Sequence, residues 1–371
     1  MTAACSGACV VVLLSICLRA GNAPAAPLAG ADLSSLPRLE AAGAVYRVDG
    51  VARDPLAIFH DAGYRLVRLR LWHSPADSLD RLPAVVAFAR RVRAAGFEIL
   101  LDLHYSDTWA DPDRQDPPAA WVGLSEAALA DSVRSYTAGV VRAFRDAGVL
   151  PERIQLGNEI DNGLLWDRGR VGAEGSRWDA PAPWSRLAAL LVAAAAGVHD
   201  AAPAGATPRI VLHVAGGGDA AGCRRFFERM VAERVPFDEI GVSFYPWWHG
   251  TLEQLAANLA DLARRFGKPV MVAETSYPWT LGWADDAHNV MGLQKQLHAG
   301  YPATPEGQRR FLADLREVVA GIPDGLGAAV IVWEPAWTAV KGSAGSPVEN
   351  LALFDFDGEA LPGLFYPSGA R

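Results

Sequence analysis

Residues 66–104 read LVRLRLWHSPADSLDRLPAVVAFARRVRAAGFEILLDLH, and this stretch contains the repeating unit of the fold. Val67, Leu69 and Leu71 alternate with Arg68 and Arg70, the period of a strand with two unlike faces. An Ala/Val/Arg-rich run of helical length follows at residues 82–95. A second apolar run, residues 98–103, then closes on His104. Strand, helix and strand in that order build a parallel pair, because parallel strands need a long crossover. The same alternation extends both ways. Further strands are expected at residues 28–33, 154–156, 210–214, 240–244, 270–273 and 328–333. Further helices are expected at residues 126–147, 184–201, 252–266 and 308–322. Eight strand–helix units predict an α/β chain closed as a single (β/α)8 TIM barrel. An open doubly wound sheet is the alternative. To bind a nucleotide it would need a Gly-rich phosphate turn after the first strand, where the chain reads Ser34-Ser35-Leu36-Pro37. Gly216-Gly217-Gly218 lacks the Lys-Ser/Thr of a phosphate loop and reads as a tight loop.

The 371 residues are 51% hydrophobic. A barrel takes roughly 250 residues or more with insertions, so residues 27–371 read as one catalytic domain. Residues 1–26 read as an export signal: an apolar run at 9–18, then a small-residue, Pro-broken stretch. A secreted or periplasmic location follows. The n-region has no Lys or Arg, and a buried N-terminal strand or helix is the other meaning of the run. It is too short for a membrane span of ~20 residues, and no later segment reads as an anchor. The net charge of −8 disfavours nucleic acid and anionic membrane and suits a neutral substrate. Cys5, Cys9 and Cys17 fall in the signal, which leaves Cys223 alone, buried in a helix and without an intramolecular disulfide.

Polar residues gather where the strands end: Arg68 and Arg70, His104, Asn158-Glu159, His213, Tyr245, Glu274, and Trp333-Glu334. In a barrel those C-terminal ends form the active-site face. Glycoside hydrolysis needs two carboxyl groups flanking the scissile bond. Glu159 on strand four and Glu274 on strand seven are the expected pair, with Asn158 placed to hold a sugar hydroxyl. A rim salt bridge is the plainer meaning of Glu159 taken alone. Arg68 faces inward and needs a carboxylate; Glu274 is the expected partner, which would keep it ionised. Arg70 is equally open to tying up a structural Asp such as Asp102. Of 12 Trp, those at 72, 109, 166, 247, 248, 279, 333 and 337 fall in strand-end loops, where indoles stack on sugar faces. The eight His form no His-Glu-x-x-His, so catalysis is expected without a metal. No Gly-x-Ser-x-Gly elbow suggests a serine hydrolase. Asp285, Asp286, His288 and Asn289 form an oxygen-rich stretch that suits structural Ca2+, or is a solvated acidic loop.

Several of these stretches carry a family resemblance. They are Gly30-Ala31-Asp32-Leu33-Ser34-Ser35, Val67-Arg68-Leu69-Arg70-Leu71-Trp72, Leu101-Asp102-Leu103-His104-Tyr105-Ser106-Asp107-Thr108-Trp109-Ala110-Asp111-Pro112, Leu156-Gly157-Asn158-Glu159-Ile160, Asn162-Gly163-Leu164-Leu165-Trp166, Gly241-Val242-Ser243-Phe244-Tyr245-Pro246, Val272-Ala273-Glu274-Thr275 and Trp333-Glu334-Pro335-Ala336-Trp337. Together they resemble the arabinogalactan endo-β-1,4-galactanases of glycoside hydrolase family 53, over nearly the whole mature chain. The resemblance implies a (β/α)8 barrel, retention of anomeric configuration, and endo-cleavage of β-1,4-galactan such as pectin side chains. It makes Glu159 the acid/base and Glu274 the nucleophile. It lines the cleavage subsite with Arg68, His104, Asn158, His213, Tyr245 and Trp333, and Trp109 joins them as a loop indole. It also places Ca2+ in the loop after strand seven, on Asp285, His288 and Asn289, although that loop is shorter here than is common. Ser276-Tyr277-Pro278 after strand seven is a second departure. A related β-1,4-glycanase acting on mannan or glucan, and a non-catalytic galactan-binding protein, are the alternatives. The pairing of Glu159 with Glu274 favours the enzyme.

Overall fold

The computed structural model describes residues 26–340 and 345–369. The run read as an export signal lies outside them. Eight strands form one closed, all-parallel barrel: β1 (Leu28–Asp32), β2 (Leu66–Leu71), β3 (Glu98–Leu103), β4 (Arg153–Leu156), β5 (Arg209–Val214), β6 (Glu239–Phe244), β7 (Val270–Thr275) and β8 (Gly327–Val332). Each strand pairs with its sequence neighbours, and β1 closes the ring against β8. Every strand read from the sequence is present, with ends within two residues of the expected ones. Such runs of β-branched and Leu residues, covered on the outside by helices, read clearly.

The period-two reading of β2 holds. Val67, Leu69 and Leu71 join the outer core between strands and helices, while Leu66 joins the inner cluster. Leu66, Leu100, Val211, Met271, Ala273, Ala329 and Ile331 fill the barrel interior with aliphatic side chains. The plug is tight: a Cβ on Gly30 would lie 2.8 Å from Cγ1 of Ile331. The remaining inward positions nearer the C-terminal end carry the polar groups.

The helices that cover the barrel are α1 (Pro55–Asp61), α2 (Leu82–Ala94), α3 (Glu126–Asp146), α4 (Pro181–Ala201), α5 (Ala220–Ala232), α6 (Leu252–Phe266) and α7 (Pro305–Ala320). Their starts follow local chemistry. Thr251 and Gln254 form a reciprocal capping box on α6, Ser125 caps α3, and Thr304 caps α7. α4 is long and apolar enough to cross a membrane by length and composition, but here it packs on α3 and the outer core. Cys223 is buried on α5, as expected. The sequence reading did not resolve α1, the hairpin Tyr46–Val48/Val51–Arg53 or the short ribbon Gly163–Leu164/Gly169–Arg170. These elements are too short to show a period.

One irregularity bears on function. The β6–β7 register shifts between Val242 and Ser243, which brings Ser243 opposite Glu274. Such bulges re-aim side chains beside active sites.

Candidate active site

The strand ends enclose a cavity of about 580 Å³. Glu159 and Glu274 both line it, with Arg68, His104, Trp109, Asn158, Tyr245 and Trp333 among the walls. Thus most of the residues picked from strand ends converge on one space. His213 does not line it. This side chain is fully buried, one layer deeper, against Asn158 and Ser243.

Arg68 is the hub. Its Nη1 lies 2.8 Å from both Asp32 Oδ2 and Glu274 Oε1, and its Nη2 lies 2.8 Å from Asp102 Oδ2. The same Nη2 donates to Asn158 Oδ1 at 2.8 Å, and Nε donates to Gln155 Oε1 at 3.2 Å. Burial opposes the guanidinium charge, but Asp102, Glu274 and Asp32 outweigh it and raise its pKa. Arg68 therefore takes the partner expected for it, and Asp102 as well. Arg70 instead pairs with Asp80 at 3.2 Å and Glu334 at 3.5 Å. Its guanidinium is sandwiched 4.2 Å from the ring centre of Trp72 and 4.1 Å from that of Trp109. Arg70 thus holds an indole of the cavity wall in place.

The two glutamates sit in unlike surroundings. Glu274 Oε1 faces Arg68, and Oε2 accepts the Tyr245 hydroxyl at 3.1 Å. Burial pushes Glu274 up to about 7, although Arg68 and Tyr245 pull it down. Burial and the nearby Glu274 charge hold Glu159 well above the usual carboxylate range. Its Oε1 accepts the Ser243 hydroxyl at 2.5 Å. Glu159 itself has φ 49° and ψ 58°, a left-handed conformation uncommon outside glycine. Strained backbone of this kind concentrates at functional sites.

Behind the pair runs a hydrogen-bonded chain. His213 Nε2 lies 3.0 Å from Ser243 Oγ, and Nδ1 lies 3.0 Å from both Gln155 Nε2 and Asn158 Oδ1. Burial, then the Arg68 charge, pushes His213 well below the ordinary imidazole range, so the ring is neutral. When Glu159 is ionised, Ser243 donates to it and accepts from His213 Nε2–H. His104 Nε2 stands 2.9 Å from Asp102, and its Nδ1 accepts the Ala110 N–H at 3.2 Å. Burial also lowers the His104 pKa.

Sequence reasoning missed Asp32, Gln155, Gln115 and Ser243. Asp32, Gln155 and Ser243 lie on or at the ends of barrel strands, which was the available signal. Gln115 lies in a loop, and its Nε2 donates to the Asn158 carbonyl at 2.8 Å and the Glu159 carbonyl at 3.3 Å. Of the loop tryptophans, Trp109, Trp247, Trp248 and Trp333 line the cavity. Trp72 backs it, Trp279 packs on Phe356, and Trp337 packs on the Met291–Val348 cluster. Trp166 lines a second groove.

The loop after β7 divides its oxygen-rich residues. Asp285 accepts the Ala287 N–H at 2.7 Å and the Ser346 N–H at 2.8 Å. Asn289 is buried beside Glu349, its Nδ2 3.4 Å from Glu349 Oε1. Asn289 Oδ1 and Glu349 Oε2 are buried without a hydrogen-bond partner among the described residues. Those orphaned oxygens, with Asp285 close enough to raise the Glu349 pKa after burial does, fit a hard cation. His288 turns away, exposed, with its ring edge-on to Trp283 at 5.1 Å. No three His, Cys, Asp or Glu side chains converge as a metal-binding group among the described residues. The oxygen set is thus two carboxylates and one amide.

Comparison with known proteins agrees with this geometry. The family model described as Glycosyl hydrolase family 53 matches residues 28–366. An arabinogalactan endo-beta-1,4-galactanase of Cellvibrio japonicus is 35% identical, over 97% of this chain and 95% of the relative. A probable arabinogalactan endo-beta-1,4-galactanase A of Aspergillus terreus is 39% identical, over 88% and 90%. The solved GH53 catalytic domain of Ignisphaera aggregans superposes with a TM-score of 0.84 at 35% identity, covering 91% of this chain and 94% of that one. With a closed eightfold barrel, glutamates at the C-terminal ends of strands four and seven and a family match over nearly its whole length, the chain belongs to glycosyl hydrolase family 53.

Proposed function

We propose that the protein is a retaining endo-β-1,4-galactanase, acting on galactan and arabinogalactan of the kind found in pectin side chains. The observation that carries the mechanism is the inequality of the two carboxyls. Glu274 is gripped by Arg68 at 2.8 Å and by Tyr245, whereas Glu159 has no cation within salt-bridge reach among the described residues. Glu274 therefore holds negative charge more readily and serves as nucleophile. Glu159 keeps its proton and serves as acid.

In the first step Glu159 gives its proton to the glycosidic oxygen. The bond from that oxygen to the anomeric carbon breaks as a Glu274 oxygen bonds to the carbon, giving a glycosyl ester. In the second step Glu159, now ionised, takes a proton from water, whose oxygen displaces Glu274. The Ser243–His213 chain supports Glu159 when it is ionised. The Trp109, Trp247, Trp248 and Trp333 indoles offer stacking faces for a neutral chain of sugars.

Two further readings belong to the same proposal. The N-terminal leader directs the chain to the outside of the cell or the periplasm. A structural Ca2+ sits in the loop after β7, held by Asp285, Asn289 and Glu349, where it would fix the loop and supply no catalytic chemistry. His288 was also expected as a ligand; its side chain faces Trp283 instead.

A panel of purified polysaccharides tests the function. Early release of mixed oligosaccharides from unbranched galactan is expected, with the β-anomer formed first by NMR. Activity on mannan or glucan alone would favour a related β-1,4-glycanase. Galactan binding without any hydrolysis would favour a non-catalytic binding protein.

A further inference from the structure

A second groove, of about 480 Å³, shares a wall with the catalytic cavity. The segment 111–117 forms that wall. Asp111, Pro112, Asp113 and Arg114 line the cavity, and Pro117 lines the groove. The wall is pinned from both sides. Gln115 carbonyl accepts the Trp166 N–H at 2.8 Å, while Gln115 Nε2 donates to the carbonyls of Asn158 and Glu159.

The groove presents indoles and guanidinium groups together. Trp166 and Trp178 are half-buried in it, and Trp121 closes its inner side. Arg170 lies 4.2 Å over Trp166 and 5.2 Å over Trp178, and Arg177 lies 4.7 Å over Trp178. Arg168 and Arg186 line the groove directly. The lining supplies two carboxylates against these four cations. Asp167 is engaged by Arg170 at 3.4 Å, and Glu126 lies a long 3.9 Å from Arg186. Arg168 and Arg177 have no ion pair among the described residues. A surplus of positive charge here runs against a chain of net charge −8.

A neutral galactan can stack on the indole faces but offers the spare guanidinium groups no charge to pair with. The fork of an arginine matches a carboxylate. We propose that this groove binds a uronate residue, an acidic sugar whose ring stacks on Trp166 or Trp178 while its carboxylate meets Arg168. It would hold an acidic stretch joined to the neutral chain that the cavity cleaves. The inference goes beyond the hydrolytic function and does not depend on it.

Affinity electrophoresis of the full chain tests it, in native gels containing polygalacturonate, unbranched galactan, poly-glutamate or no polymer. Retardation by polygalacturonate but not by poly-glutamate is expected. Arg168→Glu should weaken the polygalacturonate effect roughly ten-fold, and Trp178→Ala should weaken it too. Both variants should cleave unbranched galactan at the wild-type rate. Arg168 is exposed and unpaired, so the charge reversal leaves the fold intact, and circular dichroism checks this. Absence of retardation, equal retardation by poly-glutamate, or retardation untouched by Arg168→Glu would overturn the proposal. Retardation in a protein inactive on every galactan would leave the groove standing and sink the hydrolytic reading instead.

Discussion

The Nη1 nitrogen of Arg68 stands 2.8 Å from Glu274 Oε1 and 2.8 Å from Asp32 Oδ2, and Nη2 reaches Asp102 at the same distance. One buried cation thus holds three carboxylates from β1, β3 and β7. Removing it leaves several charges unpaired in the barrel, a change that costs on the order of 3–5 kcal/mol. It also removes the group that lowers the Glu274 pKa.

Arg68→Met should therefore unfold well below the wild type in a thermal melt. Arg68→Lys, which keeps a charge but loses the fork, should fold with a smaller loss. Its kcat should fall roughly 100-fold or more, as when a positioned electrostatic contact is removed. The acid limb of its kcat/KM profile should move to higher pH, because a Glu274 with a weaker cation is protonated more easily. Wild-type stability in both variants would contradict the role of Arg68 as hub.

Ser243 gives a second pH test. Its hydroxyl donates to Glu159 at 2.5 Å and so favours the ionised form. Ser243→Ala removes that bond, so the Glu159 pKa rises. Activity requires protonated Glu159 and is lost as pH climbs through that pKa, so the alkaline limb should shift upward. The rate at the optimum should drop by roughly 10- to 100-fold as the acid loses its anchor, and Ser243→Thr should restore part of it. An alkaline limb that stays in place would make Ser243 a bystander.

The third test concerns the loop after β7. If Ca2+ binds the native state there, chelation removes stability by mass action. The melting midpoint should fall in excess EDTA and return with added Ca2+, while activity at low temperature changes little. Glu349→Gln should lower the midpoint in Ca2+ toward the chelated value. Identical melts with and without chelator, and no metal by elemental analysis, would reject a cation at Asp285, Asn289 and Glu349.

Much of this site could be read from strand ends alone. Arg68, Asn158, Glu159, Tyr245 and Glu274 each follow an apolar run or alternate within one, and a polar group there demands a partner or a use. What linear reading missed depends on closure of the barrel. Asp102 looked like a partner for Arg70, and the β2–β3 register does set the two opposite each other, but the Arg70 guanidinium turns to Asp80, Glu334 and the Trp72 and Trp109 rings, and Asp102 pairs with Arg68. Ser243 reaches Glu159 because the register slips between Val242 and Ser243, and nothing in the residue types marks that slip. His213 ends a strand like the others, yet β5 places it behind Asn158 rather than on the cavity. The oxygen-rich run at residues 285–289 pointed to the loop after β7, but Glu349, which the fold sets beside Asn289, is more than 50 residues further along the chain.

The assignment of the two glutamates is tested most directly by trapping the intermediate. Glu159→Gln should lose activity on galactan, whose leaving sugar needs a proton. It should still react with an aryl galactoside carrying a 2,4-dinitrophenyl leaving group, which departs unaided, and then stall for want of a base. Glu274→Gln should be inactive on both. Peptide mass spectrometry of the stalled Glu159→Gln protein should find one galactosyl unit esterified to Glu274. A label on another residue, or inversion at the anomeric carbon by NMR with no ester formed, would contradict the account.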